Sequence, residues 1–277
     1  MRLSIITVNL NNKAGFEHTL KSVFSQKNRD FESIVIDGLS TDGSRDVISA
    51  YQGQIHKWVS EKDSGIFNAM NKGIRLAEGE YVLFLNSGDY LPSPNTMANI
   101  FRHDFSEDFI FFDVQLVKKE GSEVRSPPDE PRKMLVLGAI CHQAVFHKCT
   151  VFQNLGLYDE TFKCAADYEL FLKAFFLATC SYRVIHETLS VYDCIHGLSS
   201  DVKNAHLLYT ERSRAQRTVF PPQVVDALEA QNREIELLSG YRSLYEGLMQ
   251  SGSVRLALRA SAVLRRIRRL FGRAIPV

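Results

Sequence analysis

Short apolar runs alternate with segments of helical periodicity along the first third of the chain. The run Leu3–Leu10 is rich in β-branched residues and stops on polar ones, so it predicts a buried strand. Segment 14–26 repeats its apolar residues at helical spacing and predicts a helix, and Phe31–Gly38 predicts a second buried strand. Because strands that alternate with helices through short links pair in parallel, this order constrains the fold strongly.

The alternation continues to residue 86. A helix is predicted at 40–51, a short strand at 56–63, a helix that ends at Gly79 and a further strand at 80–86. We therefore expect an α/β fold with a mostly parallel, doubly wound central sheet. Ligands of such sheets bind beyond the carboxyl ends of the strands. Asp37 and Asp89 follow two predicted strands, so we expect both carboxylates to point into one crevice.

The pattern changes after Pro92. Segments 108–119 and 123–128 predict a hairpin, and a further strand and one further helix are expected between 144 and 178. This second half is typical of an α+β arrangement, and no linker separates it from the first half. We expect one domain at 1–200, a helical extension at 201–250 and a basic tail at 251–277.

The charges are distributed unevenly along the chain. The tail at 251–277 holds seven arginines and no acid, whereas the preceding residues carry more acids than bases. An acidic body argues against nucleic acid as a partner. The five cysteines form no CxxC pair, which is typical of reduced thiols in a cytoplasmic protein. The sequence shows neither a signal peptide nor a membrane-spanning run.

Asp37 and Asp89 could perform two different tasks at the edge of the sheet. One carboxylate can hydrogen-bond a nucleoside, and the other can hold a hard divalent cation that neutralises a diphosphate. Each could instead only cap the helix that follows it, which Asp does well.

Four segments of the chain combine apolar runs with polar turns: "SIITVNLN", "SIVIDGLSTDGSRDVI", "EKDSGIFNAMNKGI" and "GEYVLFLNSGDYL". Together, in this order and at this spacing, they resemble glycosyltransferase family 2. The resemblance is greatest to the bacterial exopolysaccharide and colanic-acid-type branch, and it covers roughly residues 1–200. It implies a GT-A fold and an inverting transfer of a sugar from a nucleotide diphosphate sugar, with UDP as the expected nucleotide.

The metal motif of that family is reduced in this chain. Where the family carries Asp-x-Asp, often with a further Asp, this sequence reads Asn86-Ser87-Gly88-Asp89. The resemblance implies a divalent cation, Mn²⁺ or Mg²⁺, with Asp89 as its surviving carboxylate. His196 is the candidate for a further contact to the metal or the diphosphate. An Asn oxygen can still ligate a hard cation, but it brings no charge.

The resemblance also implies a nucleotide-sugar site and a general base. Asp167 is the expected base that accepts the acceptor proton, with Glu169 as the reserve, although acids also suit a helix N-terminus for electrostatic reasons. Asn68 and Asn71 could instead lie on a solvated helix face, and His142 could be a core histidine. The expected nucleotide-sugar-binding residues are Thr7, Asn9, Asp37, Asp63, Asn68, Asn71, Asn86, Ser87, His142 and Gln143.

The tail predicts a basic amphipathic helix that suits an anionic membrane surface. It could instead pack its apolar face on the catalytic domain. The membrane interpretation favours a peripheral location at the inner face of the cell membrane, where an acceptor carried on a membrane lipid would be presented. The resemblance to exopolysaccharide enzymes implies that this acceptor is a polyprenyl-diphosphate-linked saccharide. Two rivals remain: a non-catalytic partner subunit, and a sugar nucleotidyltransferase, which needs a basic glycine-rich loop where this chain reads "VNLNNKAGFEHT".

Overall fold

The computed structural model describes residues 2–119, 121–130, 132, 135, 140–195 and 202–230. One compact unit comprises Met1–Val225, and a second begins at Asp226. The basic tail and His196 lie outside the described residues. The predicted boundary near residue 200 stays a prediction, and the first unit continues past it.

The described part of the first unit includes eight strands and the seven α-helices whose bounds follow. The strands are β1 Leu3–Asn9, β2 Phe31–Asp37, β3 Lys57–Ser60, β4 Tyr81–Phe84, β5 Phe109–Lys118, β6 Gly121–Arg125, β7 Val145–Lys148 and β8 Tyr182–Asp193. The helices are α1 Lys13–Phe24, α2 Ser44–Tyr51, α3 Ile66–Leu76, α4 Thr96–Ile100, α5 Cys149–Leu155, α6 Ala166–Leu172 and α7 Ala205–Arg217.

All strands belong to one mixed sheet with the order β3-β2-β1-β4-β7-β5-β6, in which β8 also pairs with β5. The first four strands are parallel, as the alternation of strands and helices predicts. The register sets Asn9 opposite Asp37, so the carboxyl ends of β1 and β2 meet at one edge of the sheet. Strand β7 is antiparallel to both of its neighbours, which makes the second half mixed.

Alternate side chains of β1 face opposite sides of the sheet, as the strand period of two requires. Leu3 and Ile5 join the core that also includes residues of α1, whereas Ile6 and Val8 join the core that also includes residues of α3. Helix α3 approaches β1 so closely that a Cβ atom on Gly73 would lie 2.4 Å from Ile6 Cγ2. A side chain at position 73 would therefore prevent α3 from packing this closely against β1.

The first half matches the sequence-based elements closely. Helix α3 ends at Leu76, three residues before the predicted Gly79, because Ala77 already has extended backbone angles. In the second half the β5–β6 hairpin is as predicted, but the parallel pairing of β8 with β5 is a feature that sequence patterns do not reveal. All five cysteines are free. None of the helices in the described ranges is long and apolar enough to cross a membrane.

Candidate active site

Asp37 ends β2 at the carboxyl edge of the sheet, and its carboxylate organises the loops around it. It accepts hydrogen bonds from Asn9 Nδ2 at 2.9 Å, Ser60 Oγ at 2.7 Å and Ser40 N at 3.1 Å. Burial alone would raise the pKa of Asp37, but the hydrogen bonds from Ser40, Ser60 and Asn9 outweigh it and hold the pKa below its ordinary value. Asn9 and Asp37 thus lie together at the predicted edge, each buried.

Asp63 lies over the same strand ends. Its Oδ1 accepts a hydrogen bond from Lys72 at 2.6 Å, and its Oδ2 is 3.1 Å from the point where a Cβ atom of Gly38 would be. Leu10 borders the same point, and it is exposed together with Leu39, whose φ is +61°. A carboxylate beside exposed apolar side chains is suited to a ligand that combines a flat apolar surface with a hydrogen-bond donor.

Asn68 and Asn71 bind a neighbouring loop in this structure. Asn71 exchanges two hydrogen bonds with the backbone of Tyr158, at 2.9 and 3.0 Å, and is buried. Both amides also donate to the Glu160 carboxylate, each at 2.9 Å. These contacts fasten α3 to the loop that leads to α6. The interpretation of Asn71 as part of a solvated helix face is therefore wrong, because its side chain is enclosed.

The turn 86–89 is held by Asn12, which caps α1, and by Thr19 within α1, and sequence reasoning missed both residues. Asn12 Nδ2 donates to Ser87 O at 3.0 Å while Asn12 Oδ1 caps α1 by accepting from Gly15 N. The Thr19 hydroxyl donates to Asp89 O at 2.7 Å. Gly88 has a φ of +108°, which explains why a glycine occupies the place of an acid. The capping position of Asn12 is a signal that the sequence does contain.

Asp89 faces into the protein. Its side chain is buried, Oδ1 accepts a hydrogen bond from Asp193 N at 3.3 Å, and Gln143 hydrogen-bonds to the same carboxyl group. Burial raises the pKa of Asp89 to about 7, against the smaller opposing effects of His142 and of the Asp193 N–H group. Asp37 is the last residue of β2, whereas Asp89 lies in the turn after β4, which ends at Phe84. Both carboxyl groups bind protein partners.

The cation that the resemblance implies would need several hard ligands near the turn 86–89. Asn86 and Gly88 bring no charge, and the carboxyl of Asp89 is buried. Within the described ranges, no three His, Cys, Asp or Glu side chains come close enough together to hold a metal ion. Among the described residues, the turn 86–89 thus offers one acidic side chain as a ligand, that of Asp89.

His142 and Asp167 form a hydrogen-bonded pair beside this turn. His142 Nδ1 is 2.9 Å from Asp167 Oδ2, and Asp167 Oδ1 accepts from Tyr168 N at 2.8 Å. On its other side, His142 Nε2 lies 3.4 Å from Asn86 Nδ2. Both side chains are partly exposed to solvent, that of His142 by 15% and that of Asp167 by 17%. The pair thus joins the start of α6 to the end of β4 and remains accessible to a reactant.

The other predicted residues occupy different positions. Glu169 is buried and forms an ion pair with Lys173 on its own helix. Thr7 points into the interior of the protein, where its hydroxyl has no hydrogen-bond partner. Ser87 is half-buried in the turn and is bound through its backbone carbonyl.

A model of the family described as Glycosyl transferase family 2 matches residues 4–162, more than half of the chain. The chain belongs to glycosyltransferase family 2. A PGL/p-HBAD biosynthesis glycosyltransferase of Mycobacterium tuberculosis is 29% identical over 212 residues, which cover 74% of this chain and 82% of that protein. A putative teichuronic acid biosynthesis glycosyltransferase of Bacillus subtilis is 39% identical over 90 residues, covering 31% of this chain and 36% of that protein.

Solved structures show the GT-A-like fold that the resemblance implied. Staphylococcus aureus TarS 1-349 in complex with UDP-GlcNAc aligns with a TM-score of 0.63 and 19% identity, over 84% of this chain and 71% of that one. The mannosyltransferase PcManGT of Pyrobaculum calidifontis, in complex with GDP-Man and Mn²⁺, aligns with a TM-score of 0.57 and 15% identity, over 98% of this chain and 88% of that one. The glycosyltransferase is thus an enzyme with the expected fold, and the nucleotidyltransferase alternative does not apply.

Proposed function

We propose that the enzyme transfers a hexose or N-acetylhexosamine from a UDP-sugar to a saccharide acceptor, with inversion at the anomeric carbon. The observation that carries this proposal is the His142–Asp167 pair, which lies beside the turn at the end of β4 and is partly open. Strand ends of parallel sheets are where such enzymes bind their substrates. Solved neighbours of the same fold bind UDP-GlcNAc and GDP-Man.

Asp167 acts as the general base in this proposal. Its carboxylate takes the proton from the acceptor hydroxyl while the oxygen attacks the anomeric carbon. The bond between that carbon and the diphosphate oxygen breaks, and the nucleoside diphosphate leaves with the electron pair. The hydrogen bonds to His142 and to Tyr168 N fix the orientation of the carboxylate, which is the contribution expected of a positioned base.

Asp63 and the strand ends form the donor side. The uracil ring would lie against Leu10 and Leu39, with the Asp63 carboxylate accepting from its N–H group. Asn9 and Asp37 keep the loop after β2 in place below it. This arrangement assigns specificity for the nucleotide to the first half of the chain and chemistry to the second half.

The acceptor is proposed to be a polyprenyl-diphosphate-linked saccharide on the inner face of the cell membrane, in a surface-polysaccharide pathway of the exopolysaccharide or colanic-acid type. This proposal is supported by the Bacillus relative, which is named a putative teichuronic acid biosynthesis glycosyltransferase. The arginine-rich tail at 251–277 would keep the enzyme at the same membrane surface.

The direct test is turnover of UDP-sugars in the presence of a bacterial membrane fraction, measured with Mn²⁺, with Mg²⁺ and in excess chelator.

The Asp167→Asn variant tests the general base, because Asn is nearly isosteric with Asp but cannot take up the proton. We expect turnover to fall by a factor on the order of 10² to 10⁴, with the dissociation constant of the donor unchanged.

Glu169→Gln is the matched control, because it neutralises a carboxylate of the same helix that is paired with Lys173. It should keep most of the turnover. If Glu169→Gln loses turnover and Asp167→Asn keeps it, the reserve assignment is correct. Absence of turnover in the unmodified enzyme with every donor and acceptor would favour the non-catalytic partner subunit instead.

A further inference from the structure

Glu211 on helix α7 binds the segment that leads into helix α6. Its Oε1 accepts a hydrogen bond from Lys163 N at 2.7 Å, and its Oε2 accepts from Cys164 N at 2.8 Å and Ala165 N at 3.1 Å. The carboxylate is buried, at 6% exposure. One side chain thus binds three consecutive backbone N–H groups from a position 46 to 48 residues further along the chain.

These contacts hold the three residues directly before helix α6. The helix begins at Ala166, so the bound segment, which ends at Ala165, leads straight into its first turn. A backbone N–H group that is withdrawn from water without an acceptor is costly. The Glu211 carboxylate provides a charged acceptor for all three N–H groups, and charged acceptors form the stronger hydrogen bonds.

The segment that Glu211 binds ends two residues before Asp167. A shift of this segment would move the Asp167 carboxylate relative to His142 Nδ1, which lies 2.9 Å away. A second contact from the same helix restrains the first turn of α6, because Gln216 Nε2 donates to the Tyr168 hydroxyl at 2.9 Å. Helix α7 therefore holds α6 at two points next to the base.

We propose that Glu211 is a positioning residue of this glycosyltransferase, which fixes the start of α6 and thereby sets the place of the Asp167 carboxylate. This inference rests on the proposed role of Asp167. It also extends the catalytic unit beyond residues 4–162, which the family model matches, to a helix near residue 211. Reactions of this kind are sensitive to displacement, since an error of about 1 Å can cost about 10²-fold in rate.

The test uses Glu211→Gln in the full chain. An amide NH₂ group in place of one carboxylate oxygen would face backbone N–H groups, so the segment should loosen. We expect faster amide hydrogen exchange at residues 163–165 and a kcat lowered by about 10-fold to 100-fold, with the KM for the donor unchanged. Glu211→Ala should have the same effects to a greater extent.

Glu32→Gln is the matched control for a general loss of stability. Glu32 is also a buried carboxylate that accepts from backbone amides, at Glu78 N and Gly79 N, but it lies near the amino ends of β1 and β2. The Glu32→Gln variant should have a lower melting temperature, with kcat and the amide hydrogen exchange at 163–165 unchanged.

Each outcome bears on one of the two proposals. Unchanged exchange at 163–165 in Glu211→Gln would overturn the inference, whether or not turnover is observed. Faster exchange with an unchanged kcat would overturn the positioning role, and so would an equal loss of kcat in Glu32→Gln. Failure of the unmodified chain to transfer any sugar would count against the proposed function, while the exchange measurement would still decide whether Glu211 fixes the segment.

Discussion

Two buried aspartates near the carboxyl edge of the sheet, Asp37 and Asp89, differ in what surrounds their carboxyl groups. Asp37 accepts three short hydrogen bonds that favour its charged form. Asp89 accepts a longer bond from Asp193 N, and burial dominates its environment. The sequence places both residues at strand ends, but only the surrounding contacts decide which of them is charged at neutral pH.

We predict that Asp89→Asn makes the protein more stable at high pH. The pKa of Asp89 rises from 3.8 in a model peptide to about 7 in the fold. The folded state therefore holds a proton that the unfolded state releases, and stability falls as pH rises between about pH 4 and about pH 7, by up to about 4 kcal/mol. Melting temperatures at about pH 5 and about pH 8 should differ less in Asp89→Asn than in the unmodified protein.

Asp37→Asn provides the contrast, because the pKa of Asp37 is lowered. Its charged form stabilises the fold above the pKa of the unfolded state, and this contribution disappears as the pH falls through the folded pKa. Asp37→Asn should therefore destabilise the protein most at about pH 8, where Asp89→Asn stabilises it. A melting temperature for Asp89→Asn that falls at about pH 8 would contradict the assignment of a buried, costly charge.

For single residues, the sequence indicates which side chains are candidates for the site better than it indicates which hydrogen-bond partners they have. Asp167 and His142 are both visible as candidates, but their hydrogen bond joins positions 25 residues apart and depends on how α6 packs. Glu211 carries no local signal at all, since a Glu on a polar helix face looks like any solvated residue. Partnerships of this kind are set by tertiary packing, which residue patterns do not encode locally.

At the scale of elements, β1, β2 and β4 follow from apolar runs because each is a buried parallel strand. Strand β3 is short and partly exposed, and it pairs in parallel with β2. The second half is less predictable. Strand β8 joins β5 in parallel across more than 60 residues and shifts register between Phe112 and Val114. Neither the pairing nor the irregularity has a sequence signature, because both depend on which edge of the sheet is free.

The attachment of α3 to the loop before α6 gives a prediction at this scale. Asn71→Ala removes the partners of the buried N–H and C=O groups of Tyr158, so we expect a loss of about 3 kcal/mol in the free energy of unfolding. Chemical denaturation of the full chain measures it. Turnover should also fall, because this loop leads into α6, the helix that carries Asp167.

Asn68→Ala is the matched control on the same helix. Asn68 is half-buried, and its side-chain amide donates to the exposed Glu160 carboxylate, so its removal should cost less than about 1 kcal/mol. Equal losses in the two variants would show that the contact with Glu160, and not the pairing with the Tyr158 backbone, holds α3 to the loop.

At the scale of the whole molecule, the proposed functional residues extend beyond the region that the family model matches. That region ends at residue 162, whereas Asp167 and Glu211, the proposed base and its proposed positioning residue, follow it. In the proposed function the donor side lies within the matched region and the base lies after it. The sequence therefore predicts the family directly, while the acceptor is proposed from the charge of the tail and from its expected location.

The tail at 251–277 gives the prediction at this scale. Its seven arginines carry no neighbouring acid, and each basic residue near an anionic surface contributes about 1 kcal/mol of binding. We expect the full chain to float with vesicles that contain anionic lipid, not with neutral vesicles, and to be released as salt screens the charges. A chain that ends at Gln250 should not float.

A full chain with the seven arginines changed to Gln is the control that separates the effect of charge from that of apolar contact. It should also stay in solution. If the shortened chain binds anionic vesicles as well as the full chain does, the tail is not the anchor, and a helix packed on the catalytic unit becomes the better interpretation.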